Sequence, residues 1–391
     1  MNETLRLPFV CLLVLVTLVL GCPGLAMAQT QYVVTNDDVV FPFPNTISFF
    51  SVQADGSLQL AQEVRTNGYG IGGGYFGAKR VVALNNASQQ CVFGSEAFTG
   101  DIVGIPISTF TVTGRASGSP TDAGTSNGIG LALTDNYLYA SFTDSNTIGT
   151  FQIESGCTLA FLNDTAVNGL QGGVINGMAI HGNMLITTFT DGSLESFDIS
   201  NGTPASNGDE QISTGTTNSD GATYPNNIEI TQDGHYAIFG DTSTSVVVEV
   251  SDISSGKLTK TKVYRSAKGI SSSNILLSPD ETVLYVVNTQ GDAVMASFFN
   301  ASTGTLSAGC KSPPIKGQVS SWSYLTGVGL LSQSGNGGGV YIAEFGTTSG
   351  IALVQITTSA GGCTLREAAA SPFLSLDSGL SSIATFPPRS F

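Results

Sequence analysis

Apolar residues in this chain come in short bursts separated by polar turns rich in Gly, Ser, Asp and Asn. Residues 278–294, SPDETVLYVVNTQGDAV, show the form: a charged turn, an apolar burst, then a polar loop. The burst returns as QYVVTND (31–37), RVVALNN (80–86), YLYASFTD (137–144), MLITTFTD (184–191), YAIFGD (236–241), LYVVNTQ (284–290) and VYIAEF (340–345). These seven copies lie roughly fifty residues apart. Runs of this length bounded by turn residues read as strands.

The surroundings of each burst repeat as well. A run such as NIEITQDG (227–234) or NILLSPDE (274–281) precedes it. An alternating stretch such as TIGTFQI (147–153), SLESFDI (193–199), SVVVEVSDI (245–253) or AVMASFF (293–299) follows it. A Gly-containing turn then leads to one more short strand, as in SSGKLTK (254–260) and STGTLSA (302–308). Each unit is therefore four strands, A to D, joined by hairpin turns, with the burst as strand B. Four-stranded sheets repeated at this period are propeller blades. The expected fold is all-β: a seven-bladed β-propeller of four-stranded antiparallel blades. A single small twisted sheet cannot bury both faces, whereas blades stacked in a closed ring cover one another and leave no end blade. The first copy has no A strand before Tyr32, and LSSIATF (380–386) has the right pattern and no other partner. That tail is expected to complete the first blade.

The N-terminus has a different character. Arg6 precedes an apolar run from Phe9 to Leu20, and Ala26-Met27-Ala28 supplies small residues before a cut ahead of Gln29. Residues 1–28 are expected to be a signal peptide and residues 29–391 a single propeller domain. The apolar run is short for a membrane span. A lipoprotein site at Val19-Leu20-Gly21-Cys22 is the rival reading, with Leu20 an uncommon residue two places before such a cysteine. Localisation is expected to be extracellular or at the cell wall.

Composition narrows the functions. Charged residues are only 11%, with 14 Lys plus Arg against 29 Asp plus Glu and a formal charge of −15. A nucleic-acid binder needs clustered cations to displace counterions, and none cluster here. Nucleic acid and anionic membranes are therefore not expected partners. The acidity suits a soluble, monomeric protein. Loss of residues 1–28 would leave Cys91, Cys157, Cys310 and Cys363, an even count that favours two disulfides. Three connectivities are open; proximity between neighbouring blades favours Cys91–Cys157 and Cys310–Cys363. No Cys-x-x-Cys pair is present. Asn86, Asn163, Asn201 and Asn300 begin Asn-x-Ser/Thr sequons, candidate glycosylation sites in a secreted chain.

The phrase SPDETVLYVVN (278–288), with the turns ADGSL (54–58), SSGKL (254–258) and STGTL (302–306), resembles the repeat of the lactonase family of seven-bladed propellers. That family includes 6-phosphogluconolactonase and the fungal carboxymuconate cyclase. The resemblance implies a site of His, Arg and Glu side chains near the central mouth, often with a Pro-His phrase leading into an A strand. The matching positions here read Pro225-Asn226-Asn227 and Ser273-Asn274, without His. His181 and His235 both fall in A–B turns, on the face opposite that mouth.

In a propeller the D–A and B–C loops share one face around the channel. Several residues are expected there. Asp37, Asp144, Asp191 and Asp241 occupy about the same place after strand B, with Glu344 close to it in blade seven. Carboxylates gathered at one mouth repel unless offset. A divalent cation such as calcium would offset them, as would Arg65, Arg265, Lys268 and Lys316 in D–A loops. Asp is also a common turn residue in its own right. Asn127, Asn176, Asn226, Asn227 and Asn274 open A strands, where amides can bond sugar hydroxyls or cap the loop. Trp322, Tyr324, Tyr69 and Tyr75 would suit a sugar or phenolic ligand, or pack between blades. GYGIGGGYF (68–76) has the glycines of a phosphate loop without its strand-to-helix setting, and no Gly-x-Ser-x-Gly elbow occurs.

Three functions fit. One is a secreted propeller that binds a small molecule or carbohydrate at its mouth without turnover. Another is a lactone-opening or ring-closing enzyme with Glu344 as acid/base and Arg65 and Arg265 as anion stabilisers. The last is a protein-interaction scaffold or adhesin.

Overall fold

The computed structural model describes residues 30–72, 79–117, 129–207, 212–213, 227–240, 244–252, 257–265, 272–288, 293–316, 324–330, 339–345, 350–359, 362–374, 380 and 382–388. The chain divides into two units, Met1–Thr30 and Gln31–Phe391. The proposed signal segment lies outside the described residues, and the fold below is that of the second unit. No helix among the described residues is long and apolar enough to cross a membrane.

Seven antiparallel sheets are present. Blade one takes its A strand from the tail: Ser382–Phe386 pairs with Tyr32–Asn36, placing Phe386 opposite Tyr32 and Ser382 opposite Asn36. Its C and D strands are Thr46–Val52 and Leu58–Arg65. The ring thus closes between the two ends of the domain, as the pattern of residues 380–386 suggests. Blade four carries two short outer strands, Ala205–Ser206 and Ile212–Ser213, against its C strand. Blade seven carries the extra pair Phe373–Leu374 on its C strand.

The core is a set of seams. Alternation along each B strand sends neighbouring residues to opposite faces. Val33 packs toward blade seven with Tyr341 and Ala343, whereas Val34 packs toward blade two with Val81 and Val92. Each of the seven apolar clusters draws on two adjacent blades, and together they run around the whole ring. Removing one large aromatic from such a seam, Phe93 for example, costs about 3–5 kcal/mol.

Polar stitches reinforce several seams. Asn36 Nδ2 donates to the carbonyls of Arg80 and Ser95, at 3.2 and 2.7 Å. Ser95 Oγ donates to Ile129 O, Ser141 Oγ to Asn176 O, and Asn227 Nδ2 to Ile275 O. On the opposite face, Tyr139 and Tyr341 donate their hydroxyls to the carbonyls of Gly202 and Gly56 in the next blade's C–D turn. Gly202 has φ +82, and a Cβ there would meet the Tyr137 ring at 2.7 Å, so both conformation and space require glycine. The two disulfides join Cys91 to Cys157 and Cys310 to Cys363, across seams two–three and six–seven.

One assignment is corrected. RVVALNN was expected to hold a B strand, but Val81–Asn85 is the A strand of blade two. Its B strand is Gln90–Glu96. An Asx turn at Asn86, which accepts from Ser88 and Gln89, makes the hairpin between them. An apolar burst before a polar turn describes either strand, and only pairing separates them.

Candidate functional site at the central mouth

Antiparallel A and B strands begin at opposite ends of a blade. The correction above therefore moves Lys79 and Arg80 from an A–B turn to the mouth face, where blade two's innermost strand starts. Lys79 Nζ forms a 2.9 Å ion pair with Glu229 Oε1. Glu229 lies on the A strand of blade five, Ile228–Ile230. Blades two and five stand three places apart in a ring of seven, so this pair crosses the channel. Glu229 is buried, while Lys79 keeps 36% of its side chain exposed. A buried carboxylate facing a half-open ammonium marks the mouth as polar and reachable.

Arg80 points away from solvent. Its Nη1 bonds Asp38 Oδ2 at 2.7 Å with both side chains fully buried, and its Nε and Nη2 have no hydrogen-bond partner among the described residues. Asp38 sits in the B–C loop of blade one and also accepts from Ile71 N. Beside it, Arg115 joins Glu96, Asp101 and the carbonyl of Thr66. Burial pushes the Glu96 carboxyl up from its usual range, against the opposing pull of Thr66 and Arg115.

The expected carboxylates serve different ends. Asp37 is fully buried and accepts hydroxyl bonds from Thr35, Thr46 and Ser48 at 2.6–2.7 Å. Asp191 accepts from Ser193 Oγ and from the backbone N–H groups of Gln171, Gly173 and Ser193. Burial raises its pKa, but those bonds outweigh it and hold the carboxyl below the usual range. Asp144 is exposed in the B–C turn of blade three, and Asp241 lies outside the described residues. Among the described residues, no three His, Cys, Asp or Glu side chains gather closely enough to hold a metal ion.

Glu344 is the exception. It pairs with Leu325 and Gly350 near the mouth end of the blade-seven B strand, Gly339–Phe345. By alternation it follows Val340 and Ile342, which pack toward blade six. It is 2% exposed, and neither carboxyl oxygen has a hydrogen-bond partner among the described residues. Burial, with a smaller contribution from Glu367, pushes its pKa up to about 8. Among the described residues, no cation pairs with it. Arg65 ends the D strand of blade one, exposed. Arg265 ends the D strand of blade five, with its side chain outside what is described. Lys316 offers its backbone N–H to Glu367, and Lys268 lies outside the described residues.

Asn176, Asn227 and Asn274 are buried at the mouth ends of three A strands, and Asn227 is committed to the seam bond with Ile275. Tyr324 opens the A strand of blade seven. Asn127, Asn226, Trp322 and Tyr75 lie outside the described residues. His181 ends the A strand of blade four. His235 sits exposed in an A–B turn beside Asp233, at 3.1 Å. Both are on the face away from the mouth.

These observations define a class: a closed seven-bladed propeller with a polar, ion-paired mouth. The family model described as Lactonase, 7-bladed beta-propeller matches residues 102–372. The chain belongs to that family. No curated protein matches the sequence. Among solved structures, a functionally unknown protein from Desulfotomaculum acetoxidans aligns at 16% identity, with a TM-score of 0.65, over 91% of this chain and 98% of that one. The periplasmic gluconolactonase of Pseudomonas aeruginosa aligns at 11% identity, with a TM-score of 0.63, over 91% and 99%. At such identities the likeness concerns the fold.

Proposed function

We propose that the mouth binds a small molecule or carbohydrate without turning it over. The Lys79–Glu229 pair across the channel carries this reading. It supplies one partly exposed cation and one buried acceptor, flanked by amides, in the setting where a polar ligand is oriented. A ring-opening site needs an acid or base next to a group that holds the developing oxyanion. Glu344 has the raised pKa of such an acid, which favours lactone chemistry as the second reading. Among the described residues, however, the charge that acts on it is another carboxylate, Glu367.

Two disulfides suit an oxidising compartment. Secretion through residues 1–28, glycans on Asn86, Asn163, Asn201 and Asn300, and a monomeric state belong to the same proposal. The test is a thermal-shift panel of sugar lactones, muconates, oligosaccharides and calcium. At least one ligand should raise Tm in the wild type and fail to do so in Lys79→Met. A flat panel, or shifts that survive in the variant, would count against a binding mouth.

A further inference from the structure

Exposed apolar side chains are unevenly distributed. Among the described residues, Phe161 and Leu162 stand exposed on the outer strand of blade three and Leu374 on the extra strand of blade seven, and every other exposed large hydrophobic lies in a B–C or D–A loop of the mouth face. Four of these come from two neighbouring B–C loops: Val40, Phe41 and Phe43 in blade one, and Phe98 in blade two. Phe41 is 63% exposed and Phe43 68%. Tyr69, from the D–A loop between them, packs edge-on against Phe41 at 5.4 Å and against Phe98 at 6.4 Å.

The loops that carry these rings are pinned. Gly70 N donates to Val39 O, Gly72 N to Asp38 O, and Phe98 N to Tyr69 O. Gly68 N donates to Glu96 Oε1, and Ile71 N to Asp38 Oδ1. The buried ion pair of Asp38 with Arg80 and the half-buried pair of Glu96 with Arg115 thus brace the platform loops. Exposure here is a feature of a braced surface, and such preorganisation reduces the entropy lost on binding.

We propose that this platform is a docking surface for an uncharged glycan chain, separate from the channel mouth. Residues 39–45, 66–72 and 97–100 contain no Asp, Glu, Lys or Arg; charge stands only at the edge of the rings, with Arg65 exposed and Arg115 paired to Glu96 and Asp101. A second copy of this chain, at a formal −15, would bring net electrostatic repulsion. Sugar rings have apolar faces and hydroxyl edges. They match a row of aromatic rings that includes a Tyr69 hydroxyl bonded to no described group. The sequons leave the platform clear. Asn86 lies in an A–B turn, Asn201 and Asn300 at C–D turns, and Asn163 on an outer strand.

The experiment titrates the mature protein with neutral cello-, xylo-, manno-, laminari- and N-acetylchito-oligosaccharides, followed by calorimetry. At least one should bind. Phe41→Ala combined with Phe98→Ala should weaken it about tenfold or more with Tm unchanged, while Lys79→Met leaves it intact. The proposal is overturned if no oligosaccharide binds, if binding survives the double substitution, or if the patch instead drives self-association or capture by phosphatidylcholine vesicles. Binding lost only in Lys79→Met would also overturn it, while supporting the mouth reading.

Discussion

Blades one and seven place a carboxyl group at nearly the same point, where strand B reaches the mouth, and use it in opposite ways. Asp37 is met by three hydroxyls, two of them from the adjoining C strand, and ties its blade together. Glu344 has one more methylene and faces the apolar seam with blade six, where no described group donates a hydrogen bond to it. A buried carboxylate without donors pays a large desolvation cost, so the proton stays on to neutral pH. Position in a repeat therefore fixes where a side chain goes, and its partners fix its chemical state.

This contrast can be broken at several points. The largest effect should come from the closing strand. Deleting residues 380–391 removes the A strand beside Tyr32–Asn36, opens two seams at once, and should abolish the cooperative unfolding transition by circular dichroism. A truncated chain that still melts cooperatively would mean that blade one does not need its tail. Next, Asp37→Ala removes the carboxylate acceptor of three buried hydroxyls, two of them on the neighbouring strand, and should cost about 3 kcal/mol in urea unfolding.

Glu344→Gln should act in the opposite direction and depend on pH. With a folded pKa of about 8 and an unfolded value near the ordinary ~4.3 for Glu, the folded chain holds the extra proton between these values. Unfolding free energy then falls as pH rises through that window, by about 1.4 kcal/mol per pH unit. The stabilising protonation is complete below the window and lost above pH 8. The difference between wild type and Glu344→Gln should show this slope between pH 5 and 8; parallel curves would show that Glu344 is ionised and solvated. A smaller effect, about 1 kcal/mol, is expected for Asn227→Ala, which removes a single seam bond to Ile275. The smallest belongs to His235→Ala, an exposed turn residue that should change stability by less than about 0.5 kcal/mol.

Much of this architecture could be read before any coordinates. The bursts, their period and the orphaned tail 380–386 give the ring and its closure, because side-chain alternation and hairpin turns are local signals. The cysteine pairs followed from blade order and proximity. The mouth was harder. Val81–Asn85 looks like the other bursts, and reading it as strand B turns Lys79 and Arg80 to the wrong face. Glu229 looks like an ordinary outward residue between two isoleucines, and only the ring brings it to Lys79, 150 positions away. The aspartates share a place in the repeat, but what each one bonds depends on loops of different length.

The decisive measurement on the mouth is the fate of a ligand. Incubating the protein with sugar lactones and muconates, and following the rings by NMR, asks whether the site binds or transforms. A binding mouth whose Glu344 has no cationic partner leaves every ring unchanged beyond the rate in buffer, with wild type and Glu344→Gln alike. Ring opening or closure by the wild type that disappears in Glu344→Gln would contradict it and make Glu344 the acid of a working lactonase.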